Sequence, residues 1–412
     1  MKILIAIAIS GLVLLACVFA GPISSGAILL LLHDNRPSVE HDLPREYTAL
    51  HKGHVDLETG LYIREDEDLI VRGTPPLIVR RAYLSNYRVS KQFGVGATHD
   101  GEWYLVGDGD QFTWASLILA TGTHVQFRRV SPGRSYHNAL YASHEDSGEW
   151  SNARLGWTGF RWTLRLADGS TGSFRPCGAG SVCSLLAWRD SDGHMIQYRR
   201  NLTGRLTKID TADDRWILFE YDDRDRISRA YSASAEVRYK YDPRDRLTQV
   251  ASSDGVIRRY TYTDLDQMAT VEEPDISIEN TYDQNGRCIR QVDHFADDPE
   301  PLTFQFDYTL QGDRVAASSS TRSDGTWSRY TFDDNRRPLS ETWGGDSQET
   351  ATISYERDPG TGSSTAVTVT CPDRTGRPLH HTSVIRDGNE EWIKWDLLHT
   401  HCSWQHAPQT LR

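Results

Sequence analysis

Residues 221 to 250 read YDDRDRISRAYSASAEVRYKYDPRDRLTQV, and the second half restates the first. Tyrosines recur at 221, 241, 262 and 282, at separations of 20, 21 and 20 residues. A fixed period of that length marks stacked supersecondary units, each too small to bury an apolar face alone. Looser copies open at Tyr198, Tyr308, Phe332 and Tyr355, so about eight units fill the region from residue 186 to 380.

Each unit reads as a β-hairpin. In TFQFDY, Phe304, Phe306 and Tyr308 fall on one strand face and Thr303, Gln305 and Asp307 on the other. EVRYKY sets Val237, Tyr239 and Tyr241 against Arg238 and Lys240 in the same way. The polar runs DDRDR, DPRDR and DQNGR then supply the residues that reverse a chain, and an apolar position follows at Ile227, Leu247, Met268 or Ile289 to open the return strand. The repeat positions are Tyr221, Asp222, Tyr241, Asp242, Tyr262, Tyr282, Asp283 and Gly286. Hairpins added edge to edge bury one continuous aromatic layer and pair their exposed ladders. The expected class is all-β.

The YDxxDR and YDxxGR runs, with GRLTKI at 204 to 209, resemble the tyrosine-aspartate repeat of the RHS and YD-repeat proteins. Ahead of them, residues 54 to 105 carry a D..TG start, a P.PL...R.Y strand and an FG.G..H turn, and are similar to the DUF6531-like domain that precedes such repeats. The resemblance implies a sheet that spirals into a curved shell, as in bacterial polymorphic toxins and the extracellular part of teneurins. Such a shell encloses a C-terminal toxin or presents a surface to a partner. This chain departs from the long members, because YERDPGTGSS lacks the Gly-Leu that follows Asp-Pro in their self-cleaving core. No cleavage role is carried onto Asp358. About eight hairpins make an open partial shell the expectation.

After Lys2, residues 3 to 32 hold no charge, the pattern of a secretory signal or a membrane-anchoring helix. Three fates are open: cleavage after Val18-Phe19-Ala20, lipidation at Cys17, or retention as an anchor with the bulk outside. The apolar run through Leu32 favours the anchor. The expected layout is this leader (1–32), a linker (33–50), a β-rich N-terminal domain (51–185), the hairpin array (186–380) and a C-terminal tail or cap (381–412). Export agrees with CGAGSVC, whose small middle lets Cys177 and Cys183 close a disulfide. Cys288, Cys371 and Cys402 leave one thiol over, with Cys371 to Cys402 a further candidate pair.

Chemistry is sparsely signalled. The formal charge of −12, with Arg alternating with Asp, argues against nucleic acid as a partner. Cys371, His380, His381, His399, His401 and Cys402 match no zinc spacing, and GDGDQF at 107 to 112 reads as a turn rather than a calcium loop. Asn201-Leu202-Thr203 fits a glycosylation sequon. Trp103, Trp114, Trp150, Trp157 and Trp162 precede the repeats, where they either pack the sheet or stack on sugars. No catalytic residue, metal or cofactor is assigned. The expectation is a noncatalytic binding or scaffold role at the cell envelope, related to polymorphic toxin systems, with a protein or glycan partner and self-association through open sheet edges. The alternative is a carbohydrate-active hydrolase or a self-processing shell component, which a pair of buried, pKa-shifted carboxylates in one cleft would favour.

Overall fold

The computed structural model describes residues 50–51, 54–108, 112–143, 150–176, 182–334, 336–345, 348–357, 364–372 and 378–384. The apolar leader with Cys17, Cys177, Asp358 and the tail with His399, His401 and Cys402 lie outside them. The expected hydrophobic helix is therefore not part of the described fold. Among the described residues no helix is long and apolar enough to cross a membrane.

Three pieces compose the fold. A small sheet comes first, with Ile63–Val71 and Leu77–Leu84 antiparallel and Ala97–His99 added to the second. A ring of eight strands follows, from Tyr104–Gly107 to Cys183–Arg189, each antiparallel to the next. It closes where Cys183 and Ser184 pair with Leu105 and Tyr104. Phe127, Tyr141, Trp150, Leu155, Leu164 and Phe174 fill its core. A ring of this size is just wide enough for side chains to fill. Trp150 and Trp162 are accordingly buried, whereas Trp114 is exposed.

The second half of Cys183–Arg189 leaves the ring. Ala187, Trp188 and Arg189 pair with Gln197, Ile196 and Met195 of the strand Met195–Arg200. From there one antiparallel sheet runs strand by strand to Pro378–Val384, which among the described residues pairs only with Ser364–Pro372. Alternation sets its two faces. Val237 and Tyr239 are buried while Arg238 and Lys240 are exposed, and Phe304 and Phe306 are buried while Gln305 and Asp307 are exposed.

One correction concerns the return strands. Ile227, Leu247 and Met268 take the first inward position, but in the fourth hairpin Cys288 takes it, not Ile289. All four hairpins carry the same register shift at the tyrosine, so the first inward position falls six residues after it in each, and in the fourth that residue is Cys288.

The first sheet does not stand apart. Val55, Leu57, Tyr62, Leu69, Leu77, Val79, Tyr83 and Phe93 share one core with the inward residues of the repeat sheet, from Leu206 to Phe332. Backbone bonds seal the seam: Ile227 N donates to Gln92 O at 2.6 Å, Val95 N to Asp245 O at 2.9 Å, and Cys288 N to Gly60 O at 2.8 Å.

Candidate functional site

The repeated residues form a ladder along one end of the sheet. Each tyrosine hydroxyl donates to the backbone carbonyl that opens the previous return strand: Tyr221 to Leu206 (2.7 Å), Tyr241 to Ile227 (2.7 Å), Tyr262 to Leu247 (2.8 Å), Tyr282 to Met268 (2.8 Å) and Tyr308 to Cys288 (2.7 Å). Each bond contributes about 1 kcal/mol and closes a buried carbonyl.

The aspartate that follows caps its own turn. Asp222 Oδ1 accepts from Arg224 N and Arg226 N, and Asp242 and Asp283 do the same in their hairpins. The turn is a three-residue loop whose last residue sits in the left-handed region: Asp225 (φ 66°), Asp245 (64°), Asp266 (63°) or Gly286 (85°). Aspartate is tolerated there because it is used. Asp245 Oδ1 accepts from Arg224 Nη1 at 2.6 Å and Arg226 Nη1 at 3.0 Å, so each turn holds the arginines of the one before it. Arg226 also donates Nε to Asp222 (2.8 Å) and lies 4.4 Å over the Tyr241 ring. Arg246 repeats the pattern with Asp242, Asp266 and Tyr262.

Asp214 adopts the same backbone (φ 63°) on an exposed turn without such an arginine among the described residues. Asp214→Gly should therefore stabilise the chain by about 0.5–1 kcal/mol. Gly286→Ala should destabilise it by 1 kcal/mol or so, since an added Cβ would also sit 2.9 Å from Gln267 Nε2. Denaturant midpoints of the two variants check both signs.

The seam under the small sheet holds the most buried charges. Arg81 is fully buried and donates to Asp68 (3.0 Å), Asp66 (2.8 Å) and the Tyr260 hydroxyl (2.9 Å). Arg258 reaches Asp68 from the repeat sheet at 2.6 Å, and Arg64 bonds both Asp66 and Glu273. Burial alone would raise the Asp66 carboxyl, but the guanidinium groups of Arg81, Arg64 and Arg258 hold it well below the usual carboxylate range. The same charges keep Arg81 protonated against its own burial. This network joins residues about 190 positions apart in sequence.

A second polar cluster lies where small sheet, ring and repeat sheet meet. His99 Nδ1 accepts from Gly101 N at 3.1 Å, while burial, Arg200 and Lys91 push its pKa well below the usual value, so the ring is neutral. Lys91 lies 5.3 Å over the rings of Tyr87 and Tyr104. Burial would discharge it, but Glu102 and the two tyrosines keep it charged. Desolvation raises Glu102 as well, and takes Asp100 to about 6 despite Arg80 at 3.2 Å.

Asp56, fully buried in the first turn, is also pushed up to about 6 by burial, against hydrogen bonds from Thr59 and Glu58. A carboxyl raised above its unfolded value of about 4 adds stability that is complete below pH 4 and lost as pH rises through 6. Asp222 and Asp242, lowered by Arg226 and Arg246 against partial burial, act oppositely and lose their contribution only below about pH 4. The chain should be more stable at pH 5 than at pH 7. Asp56→Asn should remove about 1.3 kcal/mol of that difference in urea titrations.

Of the cysteines, Cys183 and Cys371 are each disulfide-bonded. Cys288 is free and buried, its thiol pushed up to about 12. Asn201 spends its side-chain oxygen on Thr203 and Arg205, within its own turn. Asp108 likewise caps Thr113. Among the described residues no group of three or more His, Cys, Asp or Glu is placed to hold a metal. The buried ionic network and the left-handed aspartates are what a reading by motif passes over. Their one signal is Arg and Asp at inward or turn positions where apolar residues or glycine are the rule.

Residues 52–127 match the Domain of unknown function DUF6531, and residues 221–257 match the RHS Repeat. No curated protein matches the chain. Among solved structures it is similar to a crystal structure of TcdB2-TccC3 (11% identity, 79% of this chain and 23% of that one, TM-score 0.35). A Photorhabdus luminescens Tc holotoxin pore follows (11% identity, 80% and 20%, TM-score 0.28), then a porin-like protein from Bacteroides uniformis (13% identity, 56% and 91%, TM-score 0.24). The chain thus spans under a quarter of the length of the toxin chains. The chain carries a DUF6531 match ahead of an RHS Repeat match, the latter falling on its tyrosine-aspartate hairpins.

Proposed function

We propose that this protein is a noncatalytic scaffold at the cell envelope, exported and either anchored by residues 3 to 32 or secreted, which binds a protein partner through the outer face of its repeat sheet. The supporting observation is the occupancy of the inner face. From Leu206 to Phe332 that face is taken by the chain's own residues 55 to 97, and the strongest buried charges are spent holding them there. The opposite face carries Glu236, Arg238, Lys240, Arg259, Glu272 and Arg290 over neighbouring strands. Lys240 and Arg259 flank Gln249 in register, a cationic spot suited to an acidic partner.

Crosslinking in intact envelopes, with the full chain beside Lys240→Glu/Arg259→Glu, tests the reading. The charge-reversed chain should fold normally and capture its partner at least tenfold less well. Equal capture by both would remove the outer face from the function. A glycan as the main captured species would replace the protein partner, and homodimers joined through Pro378–Val384 would instead support self-association.

The second reading, a carbohydrate-active hydrolase, rests on Asp100 and Glu102, two carboxyls raised by burial on one short turn. Turnover of envelope polysaccharide that Glu102→Gln abolishes, with the fold intact, would favour it over the scaffold.

A further inference from the structure

The outside of the ring carries a line of arginines. Phe127, Leu155 and Leu164 fill the ring core, so alternation turns the adjacent Arg128, Arg154 and Arg165 outward. Register sets them in one line across the strands, Arg128 opposite Ala142, Ala142 opposite Arg154, and Arg154 opposite Arg165. The line continues through Thr171 to Arg189. All four arginines are exposed, and among the described residues none pairs with a carboxylate, in a chain of formal charge −12. Asp108, Asp168 and Asp190 lie close in sequence but cap their own turns. In the repeat sheet, by contrast, Arg226 and Arg246 are each held by two aspartates. Two cations directly opposite on strands about 4.8 Å apart destabilise a sheet. Arg154 and Arg165 are such a pair, and an anion laid over them relieves it.

The line has an apolar end. Trp114 stands opposite Arg128, and Val130 lies two residues beyond Arg128 on the same face. Val130 N donates to Leu140 O at 2.8 Å, which sets these two side by side. Trp114, Val130 and Leu140 are each at least 41% exposed. From Leu140 the adjoining line runs through Gly156, Thr163 and Ser173, residues too short to block the approach to the arginines.

We propose that this face of the ring binds an extended acidic peptide segment of a protein partner. An apolar residue of the segment sits on Trp114, Val130 and Leu140, and its carboxylates lie on Arg154, Arg165 and Arg189. Guanidinium groups suit carboxylates because both are planar and pair through two parallel bonds. The curvature selects an extended chain. The line runs from the third strand to the last of a closed ring of eight, more than half-way round, so a flat bilayer or a rigid surface meets only part of it. Nucleic acid and acidic polysaccharide match the cations, but neither offers an aliphatic side chain to Val130 and Leu140. The site lies on the ring, apart from Lys240 and Arg259 of the repeat sheet, and stands or falls without them.

The probe is a fluorescein-labelled peptide of two leucines followed by six glutamates, titrated with the full chain and read by anisotropy. It should bind saturably, and less tightly as salt rises. Arg154→Gln/Arg165→Gln should bind it about tenfold more weakly, with a melting temperature no lower than that of the wild type, because the like-charge pair is gone. Lys240→Glu/Arg259→Glu should bind the probe as the wild type does, so failure of this site and failure of the outer-face reading are told apart. Leu140→Ser should weaken the full probe about threefold, and hexaglutamate without the leucines should bind the wild type more weakly by a similar factor. No saturable binding, or equal binding by Arg154→Gln/Arg165→Gln, would overturn the site. Hexaglutamate binding as tightly as the full probe, or tighter binding of single-stranded DNA or polygalacturonate, would overturn the peptide as its occupant.

Discussion

Arg81→Met is expected to cost about 3–5 kcal/mol, because it leaves Asp66 and Asp68 buried with one cation fewer. Arg64 and Arg258 still reach one carboxylate each, so the chain should fold but unfold at markedly lower denaturant. The double variant Arg81→Met/Asp68→Leu should recover most of the loss, since an apolar pair of similar volume needs no desolvation of charge. Equal midpoints for the single variant and the wild type would mean that water reaches the seam. The buried ionic network would then have no part in holding the small sheet.

A larger effect is expected from a chain that begins at residue 104. It lacks Val55, Leu57, Tyr62, Leu77, Val79, Tyr83 and Phe93, all of which are at most 2% exposed. At roughly 1.5–3 kcal/mol for each buried side chain, the loss is of order 10–20 kcal/mol. Domains have about 5–15 kcal/mol to lose. The shortened chain should show no cooperative melt and should elute as aggregate, whereas Phe93→Ala in the full chain should lose only about 3–5 kcal/mol and remain monomeric. A soluble, cooperatively melting chain from residue 104 would mean that the repeat sheet does not depend on its lining.

The repeat sheet was legible because its information is local. A tyrosine every 20 or 21 residues, two-residue alternation and turn residues at fixed offsets are all visible within one period. Cys288 was missed although it keeps the six-residue offset of Ile227, Leu247 and Met268, because a cysteine there is less plainly apolar than the Ile289 beside it. The ring was not legible for the opposite reason. Its closure pairs Leu105 with Cys183, and nothing local ties a leucine to a cysteine so far along the chain. The same holds for Arg81 and Arg258, which read as ordinary solvated charges until Asp68 is found between them. His99 stood inside the FG.G..H turn, but its burial and neutral state depend on Arg200 and Lys91, neither of which lies in the motif.

The strand Cys183–Arg189 belongs to two structures at once: its beginning shuts the ring and its end launches the sheet. The sheet therefore has one end clamped by the ring, while among the described residues its last strand, Pro378–Val384, pairs on one side. Gain or loss of a hairpin by duplication leaves the clamp untouched, but the lining made by residues 55 to 97 has a fixed reach, from Leu206 to Phe332. Within that reach each hairpin must fit an existing mould, and beyond it each must bring a lining of its own. The N-terminal segment thus acts as a template for length, dividing hairpins that can change only with it from hairpins free to diverge.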